Sequence, residues 1–383
     1  MGVVYKHLHS LFIMGRTKHK STLGSQVRAS AKKKTKTDTS LQKVDVDKLI
    51  PTGSTLLNLA MSDRYTGGAA KGKVWNIVGD SHSGKTFLAL SVLAECAVRS
   101  RFDNFRFIYD DAEAALEFDV AGMFGQKVAD RLEAPMKDVD GAPCCSNTVE
   151  DFLDNVEDAL ESKKPCIYIL DSLDAVDSED DQKKAALQRK ERKKGTAPEK
   201  IKGSYGMAKP KKMSELFRKI VRKLKTTDSL LIIISQTRDD INPMTFTKKT
   251  RSGGRALEFY ASFIIWLALL RRIKKNERLI GAETKVKVSK TKLTGKIREC
   301  SFTIFNAYGL DDIGDCIDFL VAEEEFTKKK NTINAGKFGK GTKAALIKHI
   351  EEGNQEKALR KLTGHVWSEI EKTLLPDRKK KYR

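Results

Sequence analysis

The sequence Gly79-Asp80-Ser81-His82-Ser83-Gly84-Lys85-Thr86 decides the fold of this 383-residue chain. It fits the pattern GxxxxGK followed by Ser or Thr, in which glycines let backbone N–H groups wrap around a phosphate. An apolar run at 74–78 predicts a buried strand before the loop, and an amphipathic stretch at 86–99 predicts a helix after it. The dipole of that helix adds positive potential at the loop. We therefore predict that these eight residues bind the phosphates of a nucleotide.

A magnesium site is predicted beside this loop. Lys85 would neutralise the β- and γ-phosphates, and the hydroxyl of Thr86 would bind Mg²⁺. A second protein ligand is usually an aspartate at the end of a hydrophobic strand. Asp171 fits, because it is the first polar residue after the apolar run 166–170. The pattern predicts ATP and Mg²⁺ as cofactors.

Hydrolysis also needs a carboxylate that positions and deprotonates a water molecule. The predicted strand 107–109 is followed by Asp110, Asp111 and Glu113, at the same predicted edge of the sheet as the loop. Their spacing does not say which acid acts. Gln236 follows another predicted strand, and its amide is either a sensor of the terminal phosphate or simply a polar group at a strand end.

Apolar runs alternate with helical patterns through the middle of the chain. This order favours βαβ units, and runs without strict polar alternation are typical of strands buried on both faces. We predict an α/β fold with a mostly parallel central sheet flanked by helices, plus a small helical C-terminal domain. The predicted strands are 74–78, 105–109, 166–170, 230–234, 263–270, 286–288 and 302–305.

Three domains are predicted. They are a basic flexible arm with its lead-in at 1–49, a core at 50–318, and a C-terminal domain with a basic tail at 319–383. A Gly/Lys-rich joining stretch is expected at 328–343. The predicted C-terminal helices are 343–352, 355–361 and 367–374.

The composition indicates which class of molecule the protein binds. The chain has 72 Lys and Arg against 51 Asp and Glu, a net charge of +21, which favours nucleic acid. No apolar run approaches the roughly 18 residues of a membrane span, so we expect no membrane partner. Six cysteines without CxxC spacing suit reduced thiols, and we expect a cytoplasmic protein.

The excess charge is concentrated in three segments. Residues 1–37 hold nine Lys and Arg and no acid, which predicts a flexible basic arm, with Met14 as an alternative start. Residues 182–212 hold twelve Lys and Arg and two Glu, and 378–383 form a basic end. For 182–212 two interpretations stay open: a solvated helical face followed by a surface loop, or a DNA-binding segment.

Together these stretches resemble the RecA family of bacterial and phage strand-exchange recombinases, over about 50–318. The most specific is 253–262, Gly-Gly-Arg-Ala-Leu-Glu-Phe-Tyr-Ala-Ser. The sequence differs from the family in two places. Residues 177–200 look like a basic insertion, and the C-terminus is basic where bacterial members tend to be acidic. The other similar stretches, beside the phosphate loop, are 50–58, 111–116, 170–172, 235–238 and 290–292.

The resemblance implies a role for several residues. Glu113 would activate water, and Gln236 would couple ATP to a DNA-binding loop. Lys85 would act on the phosphates, with Glu113 and Gln236 as the other catalytic residues. Lys290 and Lys292 would reach the ATP of a neighbouring subunit across a filament interface.

The resemblance also implies two loops that contact DNA, near 202–213 and 238–252. Both are basic and contain an aromatic residue, a mixture that binds phosphates while stacking against bases. The residues predicted to contact DNA are Lys202, Tyr205, Met207, Lys209, Arg238, Phe246, Lys248, Lys249 and Arg251.

The implied function is that of a DNA-dependent ATPase. Such a protein forms a helical filament on single-stranded DNA, pairs it with double-stranded DNA and exchanges strands in recombination and repair, in the host cytoplasm if a phage encodes it. Two alternatives share the nucleotide site: a hexameric DNA helicase, and a protein that coats single-stranded DNA and uses ATP as a switch. Residues 253–262 with Lys290 and Lys292 argue against the helicase, and Glu113 argues against the switch.

Overall fold

The structure is a computed structural model. The basic arm predicted at 1–37 lies outside the described residues, as do 202–207 of the first predicted DNA loop and 240–248 of the second. No helix within the described part of the chain is long and apolar enough to cross a membrane. The residues described are 48–117, 119–193, 208–239, 249–379 and 381–382.

Every run predicted from the sequence lies on a strand, except that Phe105 precedes the fourth strand. The strands are β1 (Leu49–Ile50), β2 (Ala69–Ala70), β3 (Lys73–Gly79), β4 (Arg106–Asp111), β5 (Leu132–Glu133), β6 (Met136–Lys137), β7 (Pro143–Cys144), β8 (Cys166–Asp171), β9 (Leu230–Asp239), β10 (Lys249–Arg251), β11 (Phe263–Lys275), β12 (Arg278–Thr291), β13 (Arg298–Phe305), β14 (Gly309–Leu310), β15 (Thr327–Lys329), β16 (Thr332–Asn334) and β17 (Lys340–Gly341).

The helices lie between them. They are α1 (Thr55–Ser62), α2 (Lys85–Ala97), α3 (Val120–Phe124), α4 (Gln126–Ala129), α5 (Val149–Glu161), α6 (Glu179–Lys193), α7 (Ala208–Thr226), α8 (Gly254–Tyr260), α9 (Asp312–Ala322), α10 (Lys343–Glu352) and α11 (Glu356–Thr373).

One large sheet forms the centre, in the order β14-β13-β12-β11-β3-β9-β8-β4-β5, with β10 paired to β9. Its part from β11 to β5 is parallel, which confirms the predicted α/β fold. The remaining part is an antiparallel extension through β12, β13 and β14. The turn Asn276-Glu277 makes β11 and β12 a hairpin, because both residues have the positive φ of a type I′ turn.

Helices cover both faces of the parallel strands. In β9, Leu230, Ile232 and Ile234 enter the apolar core on one face, with α1 and α2. Leu231 and Ile233 enter the core on the other face, with α5, α7 and α8. Successive side chains of a strand point to opposite faces, so a strand buried on both sides is apolar at every position.

The C-terminal part has an apolar core of its own, formed by α9, α10, α11 and the residues between them. The proposed domain boundary at residue 318 falls inside α9, and Cys316, Ile317 and Leu320 of that helix all belong to this core. The stretch 328–343, expected as a joining segment, contains most of a small antiparallel sheet, β15-β16-β17.

The two helices predicted at 355–361 and 367–374 are one helix, α11. Gly364 lies in its middle, fully inside the helix. A Cβ atom there would come within 2.9 Å of the Tyr65 ring, so the glycine allows close packing of α11 rather than ending it.

Candidate nucleotide and DNA site

The phosphate loop joins β3 to α2, as predicted. Gly79 is closely surrounded, because a Cβ atom there would lie 2.7 Å from the Leu267 carbonyl oxygen. Gly84 has a φ of 88°, which disfavours any residue with a side chain. Within the loop, the Ser83 hydroxyl donates to the Asp80 carbonyl at 2.7 Å. Backbone geometry therefore requires both glycines of the motif.

Lys85 lies at the first turn of α2 and folds back over the loop. Its Nζ donates to the Asp80 carbonyl at 2.8 Å. Burial lowers the pKa of Lys85, although the nearby carboxylates of Asp171 and Glu113 act to raise it. The amine therefore lies on the phosphate loop, in the negative potential of nearby carboxylates.

Thr86 and Asp171, the two predicted magnesium ligands, are in direct contact. The Thr86 hydroxyl donates to Asp171 Oδ2 at 2.6 Å. The Tyr109 hydroxyl donates to the same oxygen at 2.7 Å. Burial raises the pKa of Asp171, although both of these hydrogen bonds lower it.

The donor set fits Mg²⁺ bound together with phosphates. Among the described residues, no group of three or more His, Cys, Asp or Glu side chains could hold a metal alone. Mg²⁺ is typically held by one or two protein oxygens, by water and by substrate phosphates rather than by a protein cage. Thr86 and Asp171 would therefore hold the ion.

The structure separates the three acids whose roles the spacing left open. Asp110 is fully buried and accepts hydrogen bonds from the backbone N–H of Ser146 at 2.8 Å and from the Tyr168 hydroxyl at 2.7 Å. Asp111 accepts from the backbone N–H groups of Ala115 and Leu116, at 3.1 and 2.9 Å. Both carboxylates therefore stabilise the local chain.

Glu113 is the acid that faces the loop. Its Oε1 accepts a hydrogen bond from the Ser172 hydroxyl and one from Gln236 Nε2, the latter at 3.0 Å. Gln236 is at the level of Gly79, its register partner on β3. The structure thus brings Glu113, Gln236 and the phosphate loop together from β4, β9 and β3.

Comparison with known proteins gives a family. A family model described as the RecA N-terminal domain matches residues 30–311. The protein RecA of Ectopseudomonas oleovorans is 31% identical over 314 residues, which cover 81% of this chain and 80% of that protein. The protein RecA of Thioalkalivibrio sulfidiphilus (strain HL-EbGR7) is 32% identical over 278 residues, covering 72% of this chain and 71% of that protein.

The chain belongs to the RecA family. Membership supports a recombinase-type function, with ATP binding, at the level of the family. At about 31% identity, the chain is a divergent RecA-family protein.

The two lysines that the RecA resemblance singled out lie away from this chain's own phosphate loop. Lys290 pairs with Ile264, which pairs with Asn76, three residues before Gly79. Lys290 Nζ donates to the carbonyl of Phe259 at 3.0 Å, and Lys292 Nζ donates to the same carbonyl at 3.1 Å. Both amines thus lie at the C-terminal end of α8.

The surroundings of Lys290 lower its pKa. Burial lowers the pKa of Lys290, and the positive charge of Lys292 lowers it further. The carbonyls of α8 compensate, because the C-terminal end of a helix carries partial negative charge.

The predicted DNA contacts are only partly described. Lys202, Tyr205, Met207, Phe246 and Lys248 lie outside the described residues, and Lys249 is placed in β10 by its backbone. Residues 208–213 of the first predicted loop belong to helix α7 rather than to a loop.

The remaining predicted DNA contacts have protein partners in this structure. Lys209 is half-buried, and its Nζ donates to the carbonyl of Val176 at 2.6 Å. Arg251 has only 7% of its side chain exposed, 3.6 Å from Glu258. Arg238 is 61% exposed and pairs with Asp174 at 3.0 Å. Of these three, Arg238 is therefore the residue best placed for a partner in solution.

Sequence reasoning missed three side chains of the site. Tyr109 and Ser172 hydrogen-bond Asp171 and Glu113, and nothing in the sequence distinguishes them from a core tyrosine and a turn serine. Asp174 accepts from the backbone N–H of Gln236 at 2.7 Å. In the sequence, Asp174 could have been noticed as a second aspartate three residues after Asp171, the predicted magnesium ligand.

Proposed function

We propose that this protein is a DNA-dependent ATPase that forms helical filaments on single-stranded DNA and catalyses homologous pairing and strand exchange. ATP and Mg²⁺ are its cofactors, and single- and double-stranded DNA are its partners. The observation that supports this most is the hydrogen bond between Gln236 and Glu113. It connects the proposed catalytic acid to the strand that leads into the second predicted DNA loop.

The residues of the site have separate tasks in hydrolysis. The loop N–H groups and Lys85 bind the β- and γ-phosphates and stabilise the charge that develops on them. Mg²⁺ held by Thr86 and Asp171 would neutralise further phosphate charge. Glu113 accepts the proton of the attacking water, as a general base. Gln236 fixes the Glu113 carboxylate and responds to the γ-phosphate.

The test measures ATP turnover with and without single-stranded DNA. We expect stimulation by DNA, and open helical filaments by negative-stain imaging with a slowly hydrolysed ATP analogue. Lys85→Ala should abolish nucleotide binding or turnover, because the loop loses its cation. Closed rings would instead favour a helicase, and filaments without turnover would favour an ATP-switched coating protein.

A further inference from the structure

The carboxylate of Asp174 connects three parts of the molecule. Its Oδ2 accepts from the backbone N–H of Gln236 and from the Ser252 hydroxyl, each at 2.7 Å. Its Oδ1 accepts from Arg238 Nη2 at 3.0 Å. The Asp174 side chain is only 12% exposed, so these bonds form in a largely desolvated place where each is strengthened.

The first contact, with the backbone of Gln236, continues the hydrogen bonding of β9 past the end of its pairing with β8. Strand β8 pairs with β9 as far as Leu170 opposite Ile233, and the Leu173 N–H then donates to the Ile234 carbonyl at 2.9 Å. Beyond that point β8 no longer pairs with β9. The Asp174 carboxylate accepts the next N–H, that of Gln236, so Asp174 sets the position of the residue that contacts Glu113.

The other two contacts join the flanks of one segment. Arg238 lies near the end of β9 and Ser252 directly follows β10, and these strands bracket residues 240–248. In the bracketing strands Arg238 pairs with Thr250. A single carboxylate is thus bonded to Gln236 on the nucleotide side and to both flanks of the second predicted DNA segment.

We propose that Asp174 is a positioning residue through which DNA binding at the flanks of 240–248 alters ATP hydrolysis. This rests on the proposed function. A DNA phosphate that takes the Arg238 guanidinium competes with Asp174 for it, because both are anions and the guanidinium is exposed. The carboxylate then bonds only Gln236 and Ser252, so the arrival of DNA changes the bonding of the group that positions Gln236.

Loss of the carboxylate should affect ATP turnover and DNA affinity differently. Gln236 loses the acceptor that positions its backbone, so turnover with DNA falls. The DNA affinity does not fall, because a negative charge next to Arg238 is removed and Arg238 itself stays. A merely structural defect would lower both quantities, so the combination distinguishes a positioning role from misfolding.

The experiment compares full-length Asp174→Asn and Asp174→Ala with the wild-type protein. Turnover is measured against single-stranded DNA concentration, and DNA affinity is measured separately with a slowly hydrolysed ATP analogue. We expect DNA-stimulated turnover to fall by about 10- to 100-fold in Asp174→Ala, the usual cost of a small misplacement at a reacting centre, and by less in Asp174→Asn, whose amide oxygen can still accept one hydrogen bond. DNA affinity should be unchanged or higher. Asp103→Asn is the matched control, since that side chain is exposed and lies before the start of β4, at the opposite edge of the sheet from the phosphate loop.

Two further variants keep the test decisive if Asp174→Ala melts at a lower temperature. Ser252→Ala removes one of the three bonds and leaves the carboxylate on Gln236, so it should lower stimulation less than Asp174→Ala. Combining Asp174→Asn with Arg238→Gln should give less than the sum of the single effects on stimulation, because the two residues act through one contact.

The results separate this inference from the proposed function. A wild-type protein without DNA-stimulated turnover would refute the proposed function itself. A wild-type protein that is stimulated, together with Asp174 variants that keep full stimulation, would overturn only the role of Asp174. Equal losses of turnover and of DNA affinity would also overturn it.

Discussion

At the scale of single residues, three acids within four positions of the chain have different environments. Glu113 shares its Oε1 between Ser172 and Gln236, near the phosphate loop, whereas Asp110 and Asp111 bond the local chain. We predict that Glu113→Gln keeps ATP binding and lowers hydrolysis by about 10²-fold or more, the scale of losing a general base. Nucleotide affinity and steady-state turnover measure the two effects.

The matched control is Glu161→Gln, the same substitution at the end of α5, which lies at the opposite edge of the sheet. It should leave turnover unchanged. Unchanged turnover in Glu113→Gln would return the catalytic role to Asp110 or Asp111.

For Asp110 we predict a loss of stability rather than a loss of turnover. Its carboxylate accepts from Ser146 and Tyr168 inside the core, and Asn would turn an NH₂ group toward one of these donors. We expect Asp110→Asn to lower the free energy of unfolding by about 1–3 kcal/mol, the cost of an unsatisfied buried group. The folded protein should keep its turnover. Chemical denaturation and turnover at low temperature measure both, and loss of turnover at full stability would contradict the assignment.

The residues that the sequence predicted well are those set by local spacing. The phosphate loop, Thr86 and Asp171 follow from short patterns beside apolar strands, and the structure brings them together. Spacing alone did not separate Asp110, Asp111 and Glu113, and only the RecA resemblance singled out Glu113, because their environments are set by tertiary neighbours. Asp174 was missed for a related reason: its partner Gln236 is 62 positions away in the chain.

At the scale of elements, helix α6 is not stabilised by burial in the apolar core. None of its residues is buried, and it begins with Glu179, Asp180 and Asp181 and ends with Arg192 and Lys193. This order of charges complements the helix dipole and accounts for a helix without an apolar face. It agrees with a solvated helix and leaves the DNA-binding interpretation of 182–212 as a prediction.

We predict that the basic end of α6 contributes to DNA affinity through phosphate contacts. A quadruple glutamine variant keeps helix propensity and removes four charges. If all four contact a single strand, the slope of log affinity against log salt should flatten by up to about 3, at roughly 0.7 per contact. The residues changed are Arg189, Lys190, Arg192 and Lys193.

The control removes two arginines and two lysines at the opposite edge of the sheet: Lys164, Arg218, Arg222 and Lys225. Those residues are exposed and lie near the start of β8 or on α7. An equal change of slope in both variants would mean that α6 acts only through net charge. The loss should be the same for different DNA sequences, because phosphate contacts carry no base information.

The elements that sequence reasoning misjudged are those in which tertiary packing overrides a local signal. Gly364 and the Gly/Lys-rich stretch 328–343 indicate chain breaks, yet the structure has a continuous α11 and three paired strands there. Gly364 is required by the approach of Tyr65, a residue 299 positions away, which a local pattern does not contain.

At the scale of the whole molecule, the proposed filament needs a head-to-tail interface, and an interface whose rotation does not close gives an open helix. Lys290 and Lys292 lie toward the start of β3, whereas the phosphate loop follows its end. In a head-to-tail filament, the lysine edge of one subunit would face the ATP of the next. The alternative is that both lysines simply belong to a solvated strand face next to α8.

We predict that Lys290→Ala with Lys292→Ala leaves ATP binding by the monomer intact, because both residues lie away from its own loop. DNA-stimulated turnover and filament formation should be lost, because the neighbouring ATP loses two cations. The control is Lys285→Ala with Lys287→Ala on the same strand, whose amines pair with Glu299 at 2.7 and 3.6 Å. Normal filaments and turnover in the Lys290/Lys292 variant would place both residues on a solvated face and require another contact to ATP across the interface.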